Sequence, residues 1–478
     1  MKTHTSKPEP YDVVILGSGA AGKLISWTLA KKGMKVAVVE RKYVGGACPN
    51  IACLPSKNLI HSAKVASYFF RSAEFGITKD NTRIDMAAVR ERKRKMVTGL
   101  VDLHLELYHR SGAELIMGTG RFVAPKTIEV KLAEGGTRTL LGKHVVINTG
   151  TRATIEATPG LAESKPMTHV EALELDRIPE HLLVLGGGYV GLELSQAMRR
   201  FGSRVTVIDR NPRLIHREDQ DISDALQQLF KDEGIEVLTN TRLIRVEGQS
   251  GETVKLVGGR NGSEVILEGS HLLVATGRTP NTEGIGLDAA GVQTTDHGYI
   301  KVNERLETAA PGVWAAGDCA GSPHFTHIAE NDYQIVRDNI LGGQRVTTGR
   351  QVPFCMFTDP EFARVGLNET EAKARGVAYR LAKIPMTSVL RARTFSETRG
   401  FMKALVATDS DRILGFAAIG FQAGEMLATV QVAMLAGLPY TTLRDAIFTH
   451  PTMNEGLVPL FSTLPPNVTP TNPAPVQS

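Results

Sequence analysis

Tyr11-Asp12-Val13-Val14-Ile15-Leu16-Gly17-Ser18-Gly19-Ala20-Ala21-Gly22 opens the chain's first ordered pattern, and the fold turns on it. A short apolar strand runs into a glycine turn. A helix is expected through Leu29, and a second apolar strand, Val36-Ala37-Val38-Val39, closes on Glu40. Strand, glycine turn, helix, strand and acid is the arrangement that cradles a dinucleotide. Gly17 permits the tight turn, and Gly19 lets the backbone approach a pyrophosphate at the helix N-terminus. Gly22 lets helix and strand pack closely. Ala20 and Ala21 lie in the same cradle, and Glu40 is placed to accept hydrogen bonds from ribose hydroxyls.

The pattern recurs downstream. His181-Leu182-Leu183-Val184-Leu185 leads into Gly186-Gly187-Gly188-Tyr189-Val190-Gly191, and after a further helix Arg204-Val205-Thr206-Val207-Ile208 ends on Asp209. Gly17 to Gly186 and Glu40 to Asp209 are both 169 residues. One glycine fingerprint is weak; two with the same internal spacing are strong. Nucleotide contacts are therefore expected at Gly186, Gly188, Gly191 and Asp209 as well, and two dinucleotide sites imply electron transfer between two cofactors. Three more apolar runs open into glycine turns, at Thr149-Gly150, at Gly277-Arg278 and at Gly317-Asp318. Such strand ends are where an α/β sheet meets its ligand. The fold class expected is α/β, with two Rossmann-like domains and a C-terminal α+β domain.

Between the two fingerprints stands Gly45-Gly46-Ala47-Cys48-Pro49-Asn50-Ile51-Ala52-Cys53-Leu54-Pro55-Ser56-Lys57. A thiol pair beside a nucleotide cofactor can carry two electrons. In a regular helix, residues five apart have Cα atoms about 8–9 Å apart, and a disulfide needs less than about 7 Å. If Cys48 and Cys53 bond, the helix must be distorted or must start after Cys48; Pro49 and Pro55 fit that. Half of a zinc site is the alternative, ranked lower because Cys319 and Cys355 lack paired spacing. No resident metal is expected. A working dithiol needs an acid–base partner, because only the thiolate attacks. His450 in Thr449-His450-Pro451-Thr452-Met453-Asn454-Glu455 could take that proton, with Glu455 fixing its tautomer.

Composition adds bounds. The chain has 478 residues, room for several domains, and a net charge of +5, a bias too weak to argue for nucleic acid. The basic run Arg90-Glu91-Arg92-Lys93-Arg94-Lys95 reads as a solvated helix face. Four cysteines fit a reducing compartment, and no long apolar run is seen, so a cytoplasmic protein without a membrane span is expected. The proline-rich stretch from Pro465 to Ser478 reads as a disordered tail.

Taken together, these motifs resemble the FAD-dependent pyridine nucleotide–disulfide oxidoreductases, the family of glutathione reductase, dihydrolipoamide dehydrogenase and mercuric reductase. The resemblance runs from about Tyr11 to Phe461 through GSGAAG, GGACPNIACLPSK, GGGYVGLE, ATGRTPN, AAGDCA, FTDPEFARVG, AIGFQAGE and HPTMNE. Phe325-Thr326-His327 and the stretch Thr398–Lys403 look most like the mercuric-reductase-like branch. It implies FAD on the first fingerprint and NAD(P)H on the second, with Gly46, Ala47 and Lys57 also near the flavin and Asp318 at its ribityl or phosphate region. Lys57 and Glu193 would pair beside the flavin, Cys53 would face it, and Cys48 would be the interchange thiol. His450 and Glu455 would come from the partner in a homodimer.

The implied domains are 1–155 and 284–350 for FAD, 156–283 for NAD(P), 351–464 for dimerisation and 465–478 as tail. The implied activity is transfer of a hydride from NAD(P)H through FAD to the Cys48–Cys53 disulfide, and on to a small disulfide or other low-molecular-weight acceptor. Mercuric or other metal-ion reductase, dihydrolipoamide dehydrogenase and thiol-independent oxidase or quinone reductase are the alternatives. Asp209 and Gly191 favour NADH over NADPH. The chain departs from the family at Ala47, usually Thr, and at Ala52, usually Gly. The second change predicts a negative φ at 52. No cysteine follows Cys355, which argues for mercury as a poor substrate.

Overall fold

The computed structural model describes residues 7–78 and 83–464, so the expected tail from Pro465 lies outside the described residues. Two compact units emerge. One comprises the chain up to Arg210 together with Gly234–Arg350, and the other Asn211–Glu233 with the chain from Gln351.

The first unit is built on the two predicted fingerprints. The apolar runs become buried parallel strands, as continuous β-branched sequence requires when both faces are covered. Its first sheet sets Glu9–Leu16 between Val36–Glu40 and Thr137–Ile147, all parallel, with Glu114–Ala124 beyond Val36–Glu40. Thr127–Leu132 joins Glu114–Ala124 and Thr137–Ile147 as an antiparallel meander. The strand Val313–Ala315, far along the chain, pairs parallel to Thr137–Ile147 and completes the sheet.

The second nucleotide fold is inserted between those two strands. Its parallel sheet runs in the order His271–Val274, His181–Leu185, Arg204–Ile208, Glu236–Leu238, beside a three-stranded antiparallel sheet of Thr241–Gly248, Val254–Arg260 and Ser263–Gly269. Thr151–Ala153 and Arg278–Pro280 pair antiparallel where the chain enters and leaves the insertion.

The basic run is for the most part the solvated face expected, with Glu91, Arg92, Arg94 and Lys95 exposed. It falls in the long helix Met86–Ser111, capped by the Asp85 side chain and ended by left-handed Gly112. The helix does not simply present these charges to water. Lys93 is buried and ion-paired to Glu174, Arg94 reaches the same carboxylate, and Arg90 pairs with Asp176. Acids 80 or more residues away, invisible to a local charge count, pair with three of its five bases.

In the second unit, a five-stranded antiparallel sheet runs Phe354–Met356, Glu361–Gly366, Ile413–Gly420, Phe401–Ala407, Tyr379–Pro385. The helix Ala423–Leu435 packs on it over a core that includes Met402, Phe416, Met426 and Val430. Asp219 and Asp221, at the start of the helix Gln220–Asp232, bind Lys403 of the central sheet. Val432 and Leu435 on the helix Ala423–Leu435, and Ile447 in a loop, stand exposed, apolar side chains of the kind a second chain covers.

Candidate active site

The dithiol segment breaks its helix between the two cysteines, as a bond between them would require. A four-residue turn of helix, Ala47–Asn50, stops at Ile51 (φ −138°), and a new helix, Cys53–Phe70, begins after Ala52 (φ −130°, ψ −104°). The negative φ expected at Ala52 is present, so its Cβ is tolerated. Pro55 occupies the third position of the new helix, within the first turn, where a missing N–H costs no intrahelical bond. Asn50 Nδ2 donates to the Val44 and Gly46 carbonyls at 2.9 and 2.8 Å and closes the loop in front of Cys48. Both cysteines are free thiols and half-buried. The break brings them into hydrogen-bond contact with each other.

That contact divides the charge. The hydrogen bond from Cys48 pulls the Cys53 thiol down against the opposing effect of burial, and the Thr326 hydroxyl and Lys57 ammonium add to it, so that Cys53 titrates at about 6. Cys48 moves the other way, pushed up by the same hydrogen bond and by burial. The reduced pair thus holds one proton on Cys48 and a thiolate on Cys53 at neutral pH. Thr326 Oγ1 lies 3.4 Å from Cys53 Sγ. One turn into the helix, Lys57 Nζ donates to Glu193 Oε2 at 2.8 Å, with Glu193 buried in the helix Tyr189–Phe201.

The two glycine turns are near copies. Gly17 (φ +97°) and Gly186 (φ +107°) each sit where a Cβ would meet a backbone carbonyl oxygen, Asn148 O at 2.3 Å and Ala275 O at 2.4 Å. Gly22 and Gly191 pack against the carbonyls of Gly17 and Gly186, at 2.2 and 2.1 Å from a built Cβ. The helices that follow, Ala20–Ala30 and Tyr189–Phe201, start at Gly19 and Gly188 with no side-chain cap and no acid in the first turn. Gly22 N–H is taken by Asn148, and the two helix N-termini turn their positive ends toward an anion, which fits the pyrophosphates of FAD and NAD(P)H. Ala20 and Ala21 form the opening of the first of these helices.

The acids that close each strand first brace the turns. Glu40 accepts from Ser18 N and Oγ with one oxygen and from the Lys42 and Tyr43 amides with the other. Asp209 accepts from Gly187 N.

The remaining strand ends converge. Thr151, one residue past Thr149-Gly150, donates to Asp318 Oδ2 at 2.6 Å and accepts from Arg278 Nε at 2.6 Å. Gly277 and Gly317 are the positive-φ turns just before Arg278 and Asp318. Gly46, also at positive φ, packs on the Gly19 Cα and ties the dithiol loop to the first fingerprint.

His450 and Glu455 lie in the second unit. His450 Nδ1 and Glu455 Oε2 are 2.9 Å apart; with Nδ1–H donated to the carboxylate, Nε2 carries the lone pair. The imidazole is mostly exposed. Both residues line a cleft of about 480 Å³ with Leu390, Ile447 and Phe448.

Sequence reading assigned no role to three residues in the first unit. Asn148 links the first turn to the third strand end, accepting from Gly22 N at 2.9 Å and donating to Ala316 O at 2.7 Å. Thr151 bridges Arg278 and Asp318. Thr326, in the quoted Phe325-Thr326-His327, touches the dithiol; its motif was visible but its partner was not.

Among the described residues, no cluster of His, Cys, Asp and Glu is arranged to hold a metal ion, and no helix is long and apolar enough to cross a membrane.

Comparison with known proteins gives a consistent family picture. The model of the pyridine nucleotide-disulphide oxidoreductases matches residues 11–332, and that of their dimerisation domain matches 352–460. Escherichia coli RclA, described as a probable pyridine nucleotide-disulfide oxidoreductase, is 34% identical over 95% of this chain and 99% of its own length. A mercuric reductase from Streptomyces lividans is 35% identical over 96% of each chain. A dihydrolipoyl dehydrogenase from Thermus scotoductus is 35% identical over 94% of this chain and 96% of its own. The solved structure of the Escherichia coli HOCl-induced flavoprotein disulfide reductase RclA superposes with a TM-score of 0.86, covering 95% of this chain and 100% of that one.

Proposed function

We propose, on the premise that this chain belongs to the pyridine nucleotide-disulphide oxidoreductase family and is an FAD- and NAD(P)H-dependent disulfide oxidoreductase, that Cys53 and Cys48 are its redox pair and that a small disulfide is its acceptor. The observation that carries this reading is the broken helix that sets two thiols in contact, with the Lys57–Glu193 pair one turn away. FAD, when bound at the first cradle, supplies the carrier between the nicotinamide hydride and the disulfide.

The chain's own residues do the thiol chemistry. Taking up two electrons and one proton, the Cys48–Cys53 disulfide opens to a Cys53 thiolate and a Cys48 thiol. Thr326 and Lys57 favour the thiolate, and Glu193 holds Lys57 in place. His450, contributed across the homodimer with Glu455 fixing its tautomer, takes the Cys48 proton. Cys48 then attacks one sulfur of the acceptor. A mixed disulfide forms, and the leaving thiolate takes the proton back from His450. Cys53 attacks the Cys48 sulfur, releases the second thiolate of the acceptor and restores the intramolecular disulfide.

Thr149, Gly150, Arg278, Gly317 and Asp318 gather where the first sheet's strands end, which supports their role at FAD. NADH is the proposed donor: Asp209 favours a free 2′-hydroxyl, and the neighbouring Arg210, which could draw a 2′-phosphate, lies 3.6 Å from Glu156. The proposed domains are 1–155 with 284–350 for FAD, 156–283 for NAD(P) and 351–464 for dimerisation. A reducing, cytoplasmic setting suits a pair of free thiols.

One observation favours a second acceptor class. A solved relative, 33% identical, is described as a Cu(II) complex of the flavoprotein disulfide reductase RclA, so a soft or borderline metal ion is the second reading. An acceptor panel on purified enzyme separates them. Small disulfides, Cu(II), Hg(II) and a quinone are compared under NADH and NADPH in wild type and Cys48→Ser. Disulfide turnover that vanishes in Cys48→Ser supports the first reading. Quinone reduction that outpaces every disulfide and survives the substitution would defeat it.

A further inference from the structure

Lys23 occupies the fourth position of the helix Ala20–Ala30, just past the fingerprint glycines. Dinucleotide binding does not call for a lysine there, because the pyrophosphate is met by backbone N–H groups. Its Nζ lies instead 2.7 Å from His104 Nε2. The imidazole stacks on Trp27, one turn along the same helix, with ring centroids 5.7 Å apart. On its other side His104 is pressed against the dithiol loop: a Cβ on Gly45 would meet Nδ1 at 2.8 Å. Gly45 stands three residues before Cys48. The pair is therefore wedged between the first nucleotide helix and the loop that carries the interchange thiol.

The charges agree with that placement. Burial and the neighbouring Lys23 push the His104 imidazole down, so it is neutral and accepts at Nε2 from a charged ammonium. Burial also pushes Lys23 down, while the Cys48 sulfur and the Glu330 carboxylate, on the helix Thr326–Ile340, hold it up. Cys48 in turn feels Cys53, Thr326 and Lys23, and Cys53 feels Thr326, Lys57 and Glu193. The geometry thus sets a lysine by each end of the dithiol segment: Lys57 one turn past Cys53, and Lys23, through His104, against the loop that leads to Cys48.

We propose that Lys23, seated on His104, is a positioning residue that serves as the counter-cation of Cys48 and lets the negative charge of the reduced pair pass from Cys53 to Cys48. The step moves one proton, from Cys48 Sγ to Cys53 Sγ, and no electrons. It makes Cys48 a nucleophile within its own chain, by a route beside direct loss of its proton to His450; the proton held on Cys53 then passes through His450 to the leaving thiolate of the acceptor, so that Cys53 is again a thiolate when it attacks the Cys48 sulfur. The proposal rests on the redox-pair reading and deepens it.

The test is alkylation of the two-electron-reduced, FAD-bound enzyme by iodoacetamide, followed from pH 5 to 9, with the labelled cysteine identified by peptide mass. Wild type is expected to react at Cys48. Lys23→Met should keep its flavin, its reduction by NADH and its long-wavelength thiolate band. Its Cys48 should be alkylated about tenfold more slowly at pH 7, because the thiolate fraction falls, and turnover with the acceptor should drop in kcat. Lys23→Arg, which keeps the charge, should restore most of the rate. If Lys23→Met does not retain FAD, His104→Gln carries the test, with an expected loss of about threefold in Cys48 alkylation as the lysine loses its seat. Wild-type rates in the variant that is read overturn the proposal. Wild-type labelling at Cys53 in place of Cys48 would instead defeat the assignment of the redox pair, and so distinguishes the two failures.

Discussion

Lys57 and Lys403 are both lysines held by carboxylates, and they differ in how completely they are held. Lys403, on the central sheet of the second unit, is 1% exposed and bonds Asp219, Asp221 and Glu369 at 2.8, 2.8 and 2.9 Å. Three acids surround one base, and burial, which alone would raise the Asp219 carboxyl, is outweighed by the Lys403 and Thr370 hydrogen bonds that hold it at about 2. Lys57 pairs with the buried Glu193 but keeps 32% of its side chain open and stands beside a titrating sulfur. The first arrangement is saturated and fixes the start of the helix Gln220–Asp232 to its sheet. The second leaves charge available to a neighbour that changes its protonation, which is the mark of a chemical site.

The largest effect should come from the sulfur itself. Cys53→Ser is expected to lower disulfide turnover by about a thousandfold or more, since the internal disulfide cannot form, while thermal stability stays within about 1 kcal/mol of wild type. Steady-state kinetics with a small disulfide, paired with a melting curve, reads both.

Lys403→Met should do the reverse. Three buried or half-buried carboxylates lose their common partner, a loss of about 3–5 kcal/mol, while kcat per folded enzyme is retained. Because the Asp219 carboxyl is depressed, the contribution of its ion pair is present above the ordinary carboxyl value of 3.8 and fades only as pH falls through about 2. The wild-type advantage over Lys403→Met should therefore persist at pH 4 in chemical denaturation. An activity loss in Lys403→Met larger than its loss of folded protein would erase the distinction between the two lysines.

Lys57→Met should fall between these in both turnover and stability. A loss of about 10- to 100-fold in kcat is expected as the thiolate loses its cation. Stability should fall by about 1–3 kcal/mol, because the buried Glu193 loses this partner while Lys57 itself is a third exposed.

How much of this was legible in sequence follows from the range of each contact. The two fingerprints are local patterns, and strand, turn, helix and terminal acid all fall within thirty residues. They announced both sheets and both cradles. The cysteine spacing made a helix break the condition for a Cys48–Cys53 bond, through simple geometry. The contacts that tune the site are long-range. Lys23 meets His104 across 81 residues, Gly22 meets Asn148 across 126, and Cys53 meets Thr326 across 273. Each of those residues has several unremarkable readings in isolation, and only the sheet topology selects one. The basic run of the long helix is largely the solvated face expected; only its pairing with Glu174 and Asp176 lay beyond any local window. The segment 211–233 lies within the expected NAD(P) domain, yet it groups with the C-terminal sheet through Lys403, whose partner Asp219 is 184 residues distant.

The claim at the centre is that Cys53 is the thiolate of the reduced pair. Its most direct test is the long-wavelength charge-transfer absorbance of the two-electron-reduced enzyme, titrated from pH 4.5 to 9. Because Cys53 is depressed to about 6, the band should be full at pH 7.5 and disappear as pH falls through about 6, and Cys53→Ser should lack it at every pH. A band that survives in Cys53→Ser, or that grows in only above pH 8, would contradict the account.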